Sequence, residues 1–166
     1  MIIVRCALAV VLSTTPISAL AQTEAPPDAK AYIISPKDGD RLRSPFVVRF
    51  GLRGMGVTHA GNPTRNMGHH HLLVDVEEPL DPNEPIPTGR RHLHFGAGQT
   101  ETELDLPPGR HSLRLVLGDA DHKLFRPNVS SDLVTLTVIA KGEMIRQTAP
   151  PRRKKIRRLR RSALAN

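Results

Sequence analysis

The sequence predicts an all-β fold: an immunoglobulin-like antiparallel β-sandwich with a disordered basic C-terminal tail. Six or seven short stretches rich in Val, Ile, Leu and Phe are separated by turns of Pro, Gly and Asp. No convincing amphipathic helical pattern occurs before residue 140. At 166 residues the chain has room for one domain of ordinary size. The sequence has no Trp and a single Cys, which argues against an antibody-type domain but not against the sandwich architecture.

The first 21 residues have the pattern of a secretory signal peptide. Arg5 precedes an apolar run from Cys6 to Leu12, and Ala19-Leu20-Ala21 places small residues where a signal peptidase cleaves. The run is too short to cross a bilayer as a helix. We therefore predict cleavage before Gln22 and export, with the periplasm of a Gram-negative bacterium as the expected location.

Export also limits the metal chemistry that the mature chain could perform. The one cysteine, Cys6, lies in the segment expected to be removed. The mature protein would then form no internal disulfide and offer no thiolate ligand. Any metal would have to be held by imidazole, carboxylate or thioether groups.

The predicted domain covers residues 31–140 and follows a polar, proline-containing leader at residues 22–30. Its first strands are predicted in AYIIS and FVVRFGL, with a Lys-Asp-Gly-Asp turn after the first. A Gly- and Pro-containing loop follows at residues 51–66, and HHHLLVDV is the next predicted strand. Four prolines then mark residues 79–89 as a connection.

The second half of the domain holds four more predicted strands. RRHLHFG is short, and QTETELDL alternates acidic residues with Thr and Leu at a period of two. HSLRLVLGD repeats that period, and DLVTLTVIA is the last strand. We interpret the acidic row Glu101, Glu103 and Asp105 as a solvated strand face and not as a catalytic carboxylate pair.

All eight histidines lie between His59 and His122, and the strand period separates their faces. On HHHLLVDV, His69 and His71 share one face, whereas His70 shares the more apolar face, which we expect to be the core. On RRHLHFG, Leu93 and Phe95 form the apolar face and leave His92 and His94 on the other.

The two pairs predict a copper or zinc site formed by His69, His71, His92 and His94. If the two strands are neighbours, cross-strand distances of roughly 4.5–5.5 Å would let two to four imidazoles share one ion. A His-x-His pair on a strand is a suitable start for a Zn(II) or Cu(II) site. Imidazole is equally a common hydrogen-bonding group, so a polar edge without metal is the alternative.

The secondary candidates for this site are His70, His111, Asp119 and His122. His111 begins the strand HSLRLVLGD, and Asp119 and His122 lie in the loop at its far end. A strand of this length spans over ~20 Å. We therefore expect His111 and His122 at opposite ends of the sandwich, so that one site would not use both. Taken singly, His59, His111 and His122 are each expected to be an ordinary surface or rim residue.

The motifs GHHHLLVD, HLHFGAGQTETELDLPPGRHSLRLVLGD and the following DH resemble the exported domain-of-unknown-function family 4399 (DUF4399). The resemblance covers about residues 32–138 and implies an exported bacterial β-sandwich whose activity is not established. Phe125 stands where a second loop histidine is usual in the family, and His59 is additional. This departure gives less weight to a site centred on the loop. The positions that match the family pattern are His69, His70, His71, His94, His111, Asp119 and His122.

The net charge of +8 is concentrated at the C-terminus. Residues 141–166 carry ten Lys or Arg and one acid, whereas residues 22–140 carry thirteen basic and fifteen acidic side chains. Such a tail cannot build a core and is predicted to be disordered. Residues 152–161 are expected either to adsorb to an anionic membrane or lipopolysaccharide or only to solubilise the protein. Export makes nucleic acid an unexpected partner.

The sequence thus favours an exported, non-enzymatic binding module with a histidine-rich copper or zinc site. The alternative is a structural or interaction module of the cell envelope, in which the histidines only line a polar edge that docks a polymer or partner protein. An enzyme ranks third, since three histidines and an open position could activate water. No general base, nucleophile elbow or phosphate-binding loop stands out, so no catalytic residue is assigned. The oligomeric state is not indicated.

Overall fold

The computed structural model describes residues 22–142. The predicted signal peptide and nearly all of the predicted basic tail lie outside these residues. In the described part of the chain all regular structure is β-strand, and no helix that could cross a membrane is found there. The predicted fold class, an all-β antiparallel sandwich, is confirmed.

Every one of the seven predicted strands is present, and two short strands of two residues each are added. The seven predicted strands contain many β-branched and aromatic residues, which pack well on a pleated surface. The strands are β1 (Lys30–Ser35), β2 (Arg41–Leu42), β3 (Phe46–Arg53), β4 (Gly56–Val57), β5 (Met67–Val74), β6 (His92–Phe95), β7 (Glu101–Leu104), β8 (Gly109–Gly118) and β9 (Val134–Val138).

The strands form two sheets. The smaller sheet has the order β1-β3-β7 and is antiparallel throughout. The larger sheet has the order β2-β9-β8-β5-β4, and β6 also pairs with β5. Strand β5 is therefore central, since it pairs with β8 along one side and with both β6 and β4 along the other.

The main core lies between the two sheets. One cluster of buried side chains joins Val48 and Phe50 of the smaller sheet to Leu72 and Leu115 of the larger one. Phe50 and Phe95 pack edge to face with ring centroids 4.9 Å apart. Each such buried side chain contributes about 1.5–3 kcal/mol of transfer free energy, so this layer fixes how the sheets face each other.

A second, smaller core covers part of the outer face of the larger sheet. Leu73 and Val116 of the sheet pack there with Ile86 and Leu124 from the connecting loops. As a result β5 is buried on both faces, and His69, His70 and His71 are fully buried. The sequence pattern predicts a non-core face for His69 and His71. The structure shows that loops cover this face as well.

The predicted leader is bound to the sandwich. The backbone N–H of Ala25 donates to the carbonyl of Arg126, and the N–H of Arg126 donates to the carbonyl of Thr23. The amide of Gln22 donates to the carbonyl oxygens of Pro82 and Leu124. The segment before β1 therefore extends the loop layer that covers the outer face.

Candidate metal centre

Pairing of β5 with β6 brings three predicted site residues together. In this antiparallel pair His71 lies directly opposite His94. His69 is two residues before His71 and so points to the same face of the sheet. One ring nitrogen from each of His69, His71 and His94 can be chosen so that all three lie within 4.8 Å of one another. The condition on which the predicted site depends, that the two histidine strands are neighbours, is met in the structure.

The loop after β8 adds a fourth imidazole, that of His122. Strand β8 pairs with β5 up to Gly118, which lies opposite His69. The loop then turns back: the N–H of Asp119 donates to the carbonyl of Lys123, and the N–H of His122 donates to the carbonyl of Asp119. His122 has a φ of 64° at this turn, a left-handed conformation that most non-glycine residues avoid.

The ring of His122 lies against the rings of His69, His71 and His94, although its nitrogens are not part of the three-histidine group. Nε2 of His69 and Nε2 of His71 are 3.0 Å apart. The ring centroids are 4.9 Å apart for His69–His71, 5.0 Å for His69–His94, 4.8 Å for His69–His122, 5.0 Å for His71–His94, 6.0 Å for His71–His122 and 4.9 Å for His94–His122.

The four ring centroids lie close to the corners of a tetrahedron and far from those of a square. If the four centroids lay in one plane with the five shorter separations, His71 and His122 would be roughly 8 Å apart. They are 6.0 Å apart. A tetrahedral set of nitrogen donors suits Zn(II), whereas Cu(II) prefers a tetragonal or square-planar one.

Several nitrogens of the cluster are buried without a hydrogen-bond partner. They are Nδ1 of His69, Nδ1 of His71 and Nε2 of His94. Such a group costs about 1–3 kcal/mol when it is left unpaired. The contact between the two Nε2 atoms also requires one ring to donate and the other to accept. The cluster is therefore poorly satisfied by protein atoms alone.

The surroundings lower the pKa values of His69, His71 and His94. Burial, followed by repulsion from His122 and His94, lowers the pKa of His69 to about 4, although Asp119 acts in the opposite direction. Burial and repulsion from His69, His94 and His122 lower the pKa of His71 to about 3. Burial and His122 also lower the pKa of His94. Neutral imidazole is the form that binds metal ions.

Two glycines leave space for the rings. A Cβ on Gly118 would lie 2.9 Å from Nε2 of His71, and a Cβ on Gly96 would collide with the ring of His94. Any side chain at either position would push a histidine out of the cluster. Glycine is thus required here because the backbone approaches a side chain closely.

Two of the predicted candidates lie elsewhere in the sheet. His92 is opposite Leu73 and belongs to the same face of β6 as His94, but it is two residues further along the strand. It is not part of the three-histidine group. His70 points to the opposite face, as predicted, and its ring contacts Phe50 at a centroid distance of 5.3 Å. The carbonyl oxygen of Gln99 lies 3.2 Å from its Nδ1.

His111 lies at the other end of β8, as predicted. Its Nδ1 is 2.7 Å from a carboxylate oxygen of Asp75, and its Nε2 is 2.9 Å from the carbonyl oxygen of Pro107. Burial alone would lower the pKa of His111, but these two hydrogen bonds and the charge of Asp75 raise it overall. His111 is a fully satisfied structural residue.

The two departures from the family pattern do not disturb the cluster. Phe125 is buried in the core between the sheets, so it does not stand in for a ligand. His59 is exposed, and its Nδ1 lies 2.9 Å from the carbonyl oxygen of Ala60. That Phe125 weakens a site centred on the loop stays a prediction, while the ring of His122 lies next to those of His69 and His94.

Fold and site together define a β-sandwich protein in which four histidine rings, two of them buried and two partly buried, meet beneath the outer loops. The family profile described as "Domain of unknown function (DUF4399)" matches residues 48–139, more than half of the chain. The protein therefore belongs to this family. The matched segment includes all four histidines of the cluster. The comparisons with curated proteins and with solved structures found no match.

Proposed function

We propose that this protein is an exported, non-enzymatic module that binds one zinc or copper ion through His69, His71, His94 and His122. The observation that carries the proposal is the convergence of four imidazoles from two strands and a loop, with all ring centroids 4.8–6.0 Å apart. His69 and His71 are buried, and His94 and His122 are partly buried. This ligand set replaces the one expected from sequence, with His122 in place of His92.

The nitrogen spacing supports coordination. Zn–N bonds of about 2.0–2.1 Å place neighbouring nitrogens of a tetrahedron roughly 3.3 Å apart. Nε2 of His69 and Nε2 of His71 already lie 3.0 Å apart, so only a small adjustment separates a hydrogen bond from two metal bonds. Metal binding would turn both lone pairs toward the ion and place both protons on Nδ1.

The geometry favours Zn(II), or Cu(I) as the copper state, over Cu(II). Both ions have a filled d shell and accept a tetrahedral set of donors, whereas Cu(II) would need the rings to open toward a plane. Such a movement of the rings is opposed here, because the backbone at Gly96 lies close to the ring of His94 and the backbone at Gly118 lies close to the ring of His71. We therefore expect Zn(II) to bind without rearrangement.

Four protein ligands also bear on the class of function. A catalytic zinc site keeps an open position for water, whereas a structural site is closed by four protein ligands. A closed set supports storage, transfer or stabilisation and not hydrolysis. Export to the periplasm and weak adsorption of residues 152–161 to anionic lipid or lipopolysaccharide complete the proposal, and both rest on the sequence pattern alone.

The test is a zinc titration of the untagged, exported protein by isothermal calorimetry in competition with a chelator. We expect one ion per chain, and we expect His94→Gln to weaken the affinity by at least 10-fold. His92→Gln is the matched control, because His92 lies on the same strand and face but outside the cluster. No zinc binding, or equal losses for the two variants, would contradict the proposal and favour the polar-edge alternative.

A further inference from the structure

The four ligands of the proposed centre differ in how they are held. His69, His71 and His94 lie on strands β5 and β6, each fixed by a ladder of backbone hydrogen bonds. His122 lies on the loop after β8. Its position is set by the turn from Asp119 to Lys123 and by the N–H of Ile86, which donates to the carbonyl of His122 at 2.7 Å. The fourth ligand is therefore the one whose position depends on a small number of contacts.

Asp119 organises this turn through its carboxylate. One oxygen accepts the N–H groups of Asp121 at 2.9 Å and Lys123 at 2.8 Å. The residue is buried, with 5% of its surface exposed. A buried carboxylate requires hydrogen bonds for its remaining lone pairs, so the partner of its second oxygen also determines how firmly the turn is held.

That partner comes from the segment before the first strand. The hydroxyl of Thr23 donates to the second oxygen of Asp119 at 2.7 Å. Residues 22–25, which we call the strap, are held by the backbone hydrogen bonds of Thr23 and Ala25 with Arg126 and by the amide of Gln22. Arg126 lies just beyond the His122 turn. The strap thus contacts the loop at the turn itself and at the residues that follow it.

We propose that the strap positions His122 and so controls how fast the bound metal ion is released, with Thr23 as the positioning residue. This inference rests on the proposed function. Thr23 touches no ligand atom and acts only through Asp119. Outer-shell groups that orient a metal ligand typically change metal affinity by about 10–100-fold when they are removed.

A purely structural role for Thr23 makes a different prediction. If the hydroxyl only anchors the strap, its loss would alter the stability of the metal-free protein. Its effect on zinc release would then be the same with and without His122. If it positions His122, its loss acts on metal release and only while His122 is present. A double-mutant cycle separates the two roles, because interaction energies appear only between coupled residues.

The experiment measures zinc release from the zinc-loaded, untagged protein into excess chelator by stopped flow. Thr23→Val is expected to release zinc roughly 10–100-fold faster than the wild type while still binding one ion per chain. Thr23→Ser keeps the hydroxyl and should restore slow release. Thr88→Val removes the hydroxyl of an exposed threonine that has no side-chain hydrogen bond among the described residues and should leave the rate unchanged.

The cycle then compares His122→Gln with the double variant Thr23→Val/His122→Gln. Equal release rates for these two proteins support the strap, since its effect must pass through His122. A wild-type rate for Thr23→Val, or an undiminished effect of Thr23→Val without His122, overturns the inference. A wild type that binds no zinc instead overturns the proposed function, so the two failures are distinguishable.

Discussion

The two ends of strand β8 use histidine in opposite ways. Near its start, His111 has a hydrogen-bond partner at each ring nitrogen, and the carboxylate of Asp75 raises its pKa. Beyond its end, His122 faces His69, His71 and His94, and the pKa values of these three residues are lowered. Both ring nitrogens of His111 have hydrogen-bond partners, whereas His69, His71 and His94 each have a buried ring nitrogen without one.

This difference indicates which histidines the fold uses for itself. A buried polar group that serves the fold is normally paired, as His111 is. Buried nitrogens without a partner raise the energy of the metal-free fold. An ion bound at Nε2 of His69, His71 and His94 would replace the contact between the first two atoms and give the third a partner. Each prediction below tests the cluster, His111 or the contrast between them.

The largest effect is expected from the variant His69→Ala/His71→Ala. Loss of two ligands should reduce zinc affinity by more than the roughly 10–100-fold typical of outer-shell changes and should abolish stabilisation by zinc. The measurement is the melting temperature with and without zinc. His111→Ala is the control and should keep the full zinc-induced shift. A zinc shift that survives in the double variant would place the metal elsewhere.

A smaller effect, on stability alone, is expected from His111→Ala. The substitution leaves Oδ2 of the Asp75 carboxylate and the carbonyl of Pro107 without the donor that His111 provides. The free energy of unfolding should fall by about 1–3 kcal/mol, measured by urea denaturation in the presence of a chelator. His59→Ala, at an exposed position, should stay close to the wild type. An unchanged stability of His111→Ala would remove the contrast between the two ends.

The third prediction concerns pH, and the two ends should respond with opposite sign. His69 and His71 have folded-state pKa values of about 4 and about 3. Their unfolded value is near 6.5, so the unfolded chain binds more protons as pH falls. Metal-free stability should therefore decrease as pH falls from about 6.5 through those values.

For His111 the raised pKa means that its contribution is complete below about 6.5 and is lost as pH rises through its folded-state value. Urea unfolding of the metal-free protein across this range checks both signs. In His69→Ala/His71→Ala the free energy of unfolding should fall less as pH is lowered. In His111→Ala it should no longer fall as pH rises through the folded-state pKa of His111. Two variants with the wild-type pH profile would contradict the assignment.

Much of the site follows from strand periodicity. The period of two places His69 with His71, and His92 with His94, on one face of each strand. The connection between the strands is 17 residues long, from 75 to 91, so periodicity does not fix their pairing, and the register decides which residues meet. Because His71 is opposite His94, His92 is displaced by two residues, or roughly 6.6 Å along the strand, which is too far for His92 to share an ion with His71.

The remaining part depends on loops, which periodicity does not describe. His122 reaches the cluster because Asp119 closes a tight turn and because the strap contacts that turn. The same loops bury the outer face of β5, which the alternation of residues alone presents as a polar face. The one sequence signal for His122 was the family resemblance, whose pattern includes His122 and omits His92.

The most direct test of the account is X-ray absorption spectroscopy at the zinc edge of the zinc-loaded, untagged protein. The account predicts one zinc ion per chain with four imidazole nitrogens at about 2.0–2.1 Å and no oxygen or sulfur donor. His122→Gln should change the first coordination shell, whereas His92→Gln should give the wild-type spectrum. A six-coordinate, oxygen-rich spectrum, or a spectrum insensitive to His122, would contradict the proposed four-histidine centre.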